Sequence, residues 1–151
     1  MHLEWRLQTP RPESEQQMKQ EHMTEILTLV KRIGNLFVEV EELSKQLSDA
    51  IDRRDEVSMG MIIAMRSEPI EKLAITDRSL RELLFSLDDG EEVARLRAIL
   101  NGEMHRAIGE QEKLLAEQAA MNIRTHRRMM ELDERLNRKV AHERSIYNKK
   151  D

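Results

Sequence analysis

Five histidines, ten methionines and a run of arginines near the C-terminus are the residues of this 151-residue chain with chemistry to offer. The histidines stand at His2, His22, His105, His126 and His142. No two form the HExxH pair of a zinc protease, and the inward Glu plus ExxH set of a di-iron bundle is missing. There is no cysteine, which removes disulfides and thiolate metal sites alike. Neither a P-loop, a GxGxxG turn nor a GxSxG elbow occurs. Gly102 and Gly109, one heptad apart, imitate a nucleotide loop only superficially; they read as a close approach of backbones or a weak spot in a long helix. The expectation is a non-enzyme with no catalytic residue, no cofactor and no metal.

Arg124, Arg127, Arg128, Arg135, Arg138, Lys139 and Arg144 suggest a phosphate-binding surface until their neighbours are counted. Glu131, Asp133, Glu134 and Glu143 are interleaved with them and would repel phosphates, and no aromatics are present to stack bases. This pattern predicts a solvated helix face without nucleic-acid binding, at most steering an acidic protein partner. The net charge of -4 agrees, as do 36% charged and only 3% aromatic residues, a composition suited to a coiled-coil-like bundle. Methionine is flexible and polarisable and repacks against varied apolar surfaces. Met59, Met61 and Met65 are expected to fill a core, and Met121, Met129 and Met130 to meet a partner. No apolar run approaches the roughly 18 residues that span a bilayer, and the opening MHLEWRLQTPRPESE lacks a signal-peptide core. A soluble, cytoplasmic protein without membrane insertion is expected.

The elements that position these residues follow from periodicity. Pro10 and Pro12 disfavour helix before Ser14, so residues 1–13, with Trp5 and Leu7, read as a flexible tail. From about 14 to 53, Ile26, Leu29, Ile33, Leu36, Val40, Leu43, Leu47 and Ala50 draw one helical stripe, widened by Val30, Phe37 and Ile51. Gly34 interrupts it at a cost of about 1 kcal/mol against Ala, as expected where another helix comes close. A corner at Asp52-Arg53-Arg54-Asp55, with Asp52 or Asp55 as cap, opens a second helix over about 55–87. Its seam runs through Met59, Ile63, Arg66, Ile70, Leu73, Asp77, Leu80, Leu84 and Leu87, and Pro69 is expected to kink it rather than break it. After Asp88-Asp89-Gly90 a third helix is predicted over about 91–147, along Val93, Leu96, Leu100, Ala107, Leu114, Met121, Met129, Leu132, Leu136 and Val140, with 148–151 as a short tail.

Short connections force neighbours to be antiparallel, so the fold class is all-α: a single domain over 14–147, an elongated antiparallel three-helix bundle, coiled-coil-like, with a long C-terminal helix. The second helix returns over about 33 residues, and a third helix of equal rise draws level with the first corner near Ile123. Residues 124–147 are then left without an intramolecular neighbour. An apolar stripe in water marks a binding surface, and Met121, Met129, Met130, Leu132, Leu136 and Val140 are the expected partner-binding residues. Glutamate at 129 and 136 should on this reading abolish partner binding and spare thermal stability. A structural homodimeric coiled-coil adaptor, a homo-oligomer formed through the same helix, is the alternative.

The corner SDAIDRRD, the second-helix segment EPIEKLAITDRSLRELL, the long EQAAMNIRTHRRMMELDERLNRKV and the terminal SIYNKKD together resemble the FlgN family of flagellar export chaperones over about residues 20–150. The resemblance implies a cytosolic chaperone that captures hook-filament junction proteins through its C-terminal helical region and delivers them to the type III export gate. Tyr147 would correspond to the tail tyrosine associated with gate docking. Pro69 and the Trp-containing N-terminal segment depart from the family pattern. A FliT-type chaperone of the filament cap shares the same small helical design.

Overall fold

A computed structural model of the chain describes the backbone over residues 12–103 and 109–149, and side chains over 19–103 and 109–142. Among the described residues there are four helices: α1 (Pro12–Asp52), α2 (Glu56–Ser86), α3 (Gly90–Leu100) and α4 (Gly109–Lys149). Helix starts at Pro12, two positions earlier than expected, because a proline at the first helical position has no amide to leave unsatisfied. Residues 1–11, with Trp5 and Leu7, lie outside the described residues.

The first corner is built from the residues the sequence offered for it. Arg54 adopts φ 56°, the Asp55 amide donates to the Ala50 carbonyl and the Arg54 amide to the Ile51 carbonyl. This is a Schellman end, with an arginine in the left-handed position usually given to glycine. Asp55 then caps α2, accepting from the Ser58 amide at 3.1 Å and the Ser58 hydroxyl at 2.6 Å. Those bonds hold its carboxyl below the usual carboxylate range. α2 continues through buried Pro69 as one helix. Ser67 starts no new helix there, since its hydroxyl donates back to the Ala64 carbonyl.

The predicted third helix is two helices. α3 stops at a second Schellman end, where the Glu103 amide donates to the Ala98 carbonyl and the Gly102 amide to the Ile99 carbonyl, with Gly102 at φ 74°. α4 begins at Gly109, itself at φ 82°. The reversal is proved by what meets across it. Arg95 and Glu112 would be about 25 Å apart on one continuous helix, yet they form a two-pronged ion pair with a closest approach of 2.7 Å. Gly102 in turn lies against Ile123, so α3 and α4 rise in the same direction from the same end of the molecule.

α1 is the spine, packed along α2 on one side and α4 on the other. α4 climbs parallel to it, with Asn122 at Val30, Arg128 at Glu41 and Lys139 at Ser48 and Asp52. α2 descends: Ile62 joins Leu47, Ala50 and Ile51, whereas Leu80 and Leu84 join Ile26 and Val30. A lower core of Ile26, Val30, Leu80, Leu84, Leu96, Ile99 and Leu115 therefore draws on all four helices. An upper core of Leu43, Leu47, Ala50, Ile51, Ile62, Leu132 and Leu136 draws on three.

The α1 stripe is the one its spacing predicts, and Glu41 beside it is also buried, bonded to Arg128. In α2 the seam is displaced by one residue over its first half: Ile62, Pro69 and Thr76 face inward, while Ile63 and Ile70 are 54% and 45% exposed. Gly34 has the expected role. A Cβ there would collide with Asn122 Oδ1 and Gln118 Nε2, the pair of side chains that bond to each other while Asn122 also donates to the Val30 carbonyl at 2.9 Å.

Three glycine substitutions separate these effects. Gly60→Ala, in an open helical position, should raise stability by about 0.5–1 kcal/mol through helix propensity alone. Gly34→Ala should lower it by about 1 kcal/mol, since displacing Asn122 outweighs that gain, and should turn stabilising in an Asn122→Ala background. Gly102→Ala should lower it by about 1 kcal/mol or more, because a left-handed φ and Ile123 both oppose a side chain. Urea unfolding of the five variants reads all three signs. A carboxylate whose folded pKa is depressed stabilises the fold above the ordinary carboxylate range and loses that contribution as pH falls through it. Asp55→Asn should accordingly flatten the acid side of the stability–pH curve.

Candidate functional site: a groove between α2 and α4

With α4 restarted at the foot of the molecule, its C-terminal half lies beside α1 instead of projecting beyond it. Met129, Leu132 and Leu136, expected on an uncovered stripe, are only 9%, 9% and 5% exposed, and Val140 packs against the upper core. The expectation that residues 124–147 lack a neighbour is thus corrected. Lys139 is level with Asp52, leaving about ten residues, or ~15 Å, of α4 beyond the corner. Met121 and Met130 are 51% and 48% exposed, but at roughly 100° per residue their nine-residue separation puts them on opposite sides of the helix. They do not form one surface. The side chain of Tyr147 lies outside the described residues.

A broader concavity lies elsewhere, between α2 and α4. Neither α2 nor α4 packs against the other as closely as each does against α1, and a groove of about 960 Å³ opens between them. Val30, Ile33 and Phe37 of α1 form its floor. Leu80, Leu84 and Phe85 form the α2 wall, and Ala119, Ile123 and His126 the α4 wall. Its lower end is stopped by Arg97, Leu100 and Asn101, the last turn of α3.

α3 is seated between the same walls. Leu96 and Ile99 insert into the lower core, and the Arg95–Glu112 pair fastens the helix to α4. The groove is the part of the trough that α3 is too short to fill. Its lining ends at Asp77 and His126, and above that level the Arg66–Asp133 ion pair joins α2 to α4 at 3.0 Å. From Ala119 to Asp133 is 14 residues, about 21 Å of helix, and Ile70 and Met130 are exposed over that stretch.

The surfaces inside the groove are apolar with few, well-placed polar groups. Phe37 and the His126 ring meet at 5.2 Å between centroids, tilted by 47°. Phe85 is 86% exposed, the most open large apolar side chain described. Asp77, Arg81 and Arg97 stand at the rim with both signs of charge. Nothing in this arrangement supplies a nucleophile with a base. Among the described residues, no group of three His, Asp or Glu gathers where it could hold a metal ion, and no helix is long and apolar enough to cross a membrane. What the geometry can do is cover apolar side chains presented by another helix.

Comparison with family models, curated proteins and solved structures finds no match. The groove therefore carries the functional reading on its own geometry. Of its residues, Phe37 was visible in sequence as part of the α1 stripe. Phe85, Ile123 and His126 were not, because they fall beside the seams and acquire a common surface only when α4 is placed at its observed height. The signal that would have found them is Leu100-Asn101-Gly102, a helix stop with glycine in the left-handed position.

Leu136→Glu should destabilise the fold by more than about 3 kcal/mol, since it buries a charge beside Leu47 and Ile51. Met121→Glu should stay within about 0.5 kcal/mol of the parent. Chemical unfolding of the two variants distinguishes the observed burial from the stripe expected in sequence, for which both would be neutral.

Proposed function

We propose that the chain is a helix-capturing chaperone: the α2/α4 groove takes an amphipathic helix from a client protein and shields its apolar face from water. The supporting observation is that α3 already occupies the lower part of this trough in that manner, with two aliphatic side chains inserted and one ion pair at the rim. A client helix continuing upward from the end of α3, level with Ile123, would meet the same three walls, with about 10 residues of length before the Arg66–Asp133 bridge. Phe85 and Phe37 would anchor it, as large aromatic side chains do at interfaces.

The client class rests on the resemblance to the FlgN flagellar export chaperones. It is the hook-filament junction proteins, held in the cytosol and passed to the type III export gate by an elongated, coiled-coil-like antiparallel bundle with a long C-terminal helix. The site assigned to them is the groove, with the inward residues of α4 supporting its wall rather than touching the client. Tyr147 remains the residue proposed for the gate.

Affinity follows from the size of the surface. Burying apolar area is worth about 25 cal/mol per Å² gross, and ordering a client segment that is unstructured when free offsets most of this. Dissociation constants between nanomolar and micromolar result, a range compatible with release at the export gate.

Labelled peptides covering the terminal helices of hook-filament junction proteins test the proposal by fluorescence anisotropy. Phe85→Glu and Ile123→Glu should each weaken binding about tenfold or more while helical circular dichroism is unchanged. Binding insensitive to both substitutions would place the client elsewhere, and a groove filled by a second copy would show as a dimer in sedimentation that Phe85→Glu disperses.

A further inference from the structure

The opposite flank of α2 carries a second unpartnered surface with a different electrostatic character. Val57, Met61 and Met65 follow one another at four-residue spacing, 75%, 62% and 53% exposed, and Val38 of α1 is 53% exposed across the seam from them. These methionines were expected to fill the core; the core is filled by Ile62 and by Met59 beside it. Two shallow depressions of about 340 and 410 Å³ meet at Met65 and make one trough along the α1–α2 seam, floored by Leu43 and Ile62. None of its lining residues belongs to the α2/α4 groove.

We infer that this trough is a docking site for a basic amphipathic helix of a partner protein. The rim decides the chemistry. Glu39, Glu42 and Glu68 border one depression with no cation among them, and Asp49 borders the other with Arg53. Lys72 is nearby, but it is held by Glu68 at 3.0 Å, with Glu39 adding to the attraction. An apolar strip between carboxylates selects a helix with aliphatic residues along one face and lysine or arginine on both flanks. An acidic helix is repelled, and a nucleic-acid backbone is repelled more strongly. Methionine side chains let the strip adapt to different aliphatic partners. From Val38 to Asp49 the trough runs about 16 Å, three helical turns.

The probe is a synthetic amphipathic peptide of about 15 residues with leucines on one face and lysine and arginine on the flanks, compared with a counterpart in which every base is glutamate. The basic peptide should bind more weakly at high salt, and the acidic one should bind at least about tenfold more weakly than the basic one. The combined variant Glu39→Lys, Glu42→Lys, Glu68→Lys should lose about tenfold for the basic peptide, and Met61→Gln with Met65→Gln should lose several-fold without loss of helicity. Phe85→Glu should leave this binding unchanged, so that the trough and the α2/α4 groove are read separately. Equal affinity for the two peptides, or indifference to the charge reversal, would overturn the inference. So would a wild-type oligomer that the charge reversal converts to monomer, because the occupant would then be a second copy of this chain.

Discussion

Asn122 reaches from α4 to the Val30 carbonyl through the gap that Gly34 leaves on α1, and this contact fixes the height of α4. Apolar seams of heptad type tolerate a shift of one repeat, since leucine replaces leucine at each level. A buried amide does not, because a shifted Asn122 would lose the Val30 carbonyl and meet a side chain where Gly34 has none. Arg128 on Glu41 and Lys139 on Asp52 share one offset higher up, within one residue of that between Asn122 and Gly34. Partly exposed pairs of this kind add little stability, but they agree with one register only.

That register determines what is covered and what is left open. It brings Met129, Leu132 and Leu136 onto the upper core and withdraws the α4 seam from solvent. It also leaves α2 and α4 apart over a span that the 11 residues of α3 fill only in part. A helix this short is marginal alone in water, so α3 owes its structure to Leu96, Ile99 and the Arg95–Glu112 pair. The bundle thereby demonstrates on its own chain that its trough can order a weakly helical segment. A chaperone asks the same of it for a segment of another chain.

Much of the architecture was legible in sequence because the strongest signals were local. The α1 stripe, the corner at Arg53-Arg54 with one of its two aspartates as cap, and the close approach at Gly34 each depend on a few residues and agree with the structure. The end of α3 was local too. Its glycine was weighed as a weak spot rather than as a stop, since heptad spacing on either side of Gly102 happens to continue across the break. From that one reading came the extended third helix and the overhanging stripe. The half-turn of α2 failed for another reason. Apolar residues stand at both 62 and 63, and Ile70 adjoins Pro69, so periodicity does not say which is inside. Pro69 and Thr76 take the buried places, a tertiary preference that no propensity scale contains.

α2 explains why a bundle of this size has two unpartnered apolar surfaces rather than one. A helix serving a single core needs one apolar stripe of about 100°, and Ile62, Pro69, Thr76, Leu80 and Leu84 supply it. The additional Val57, Met61 and Met65 on one flank, and Ile70 and Phe85 elsewhere on the helix, contribute nothing to that core. Left in water they cost solubility, and polar replacements would be tolerated by the fold. Apolar side chains placed where folding does not require them are what both proposed docking surfaces rest on. The two surfaces differ in rim charge, mixed beside Phe85 and acidic beside Met61 and Met65, so they select different helices. Under the function proposed above, one helix with a partner-facing surface on each side would let the chain hold one protein while engaging another, which is the minimum that carrying a client to a destination demands.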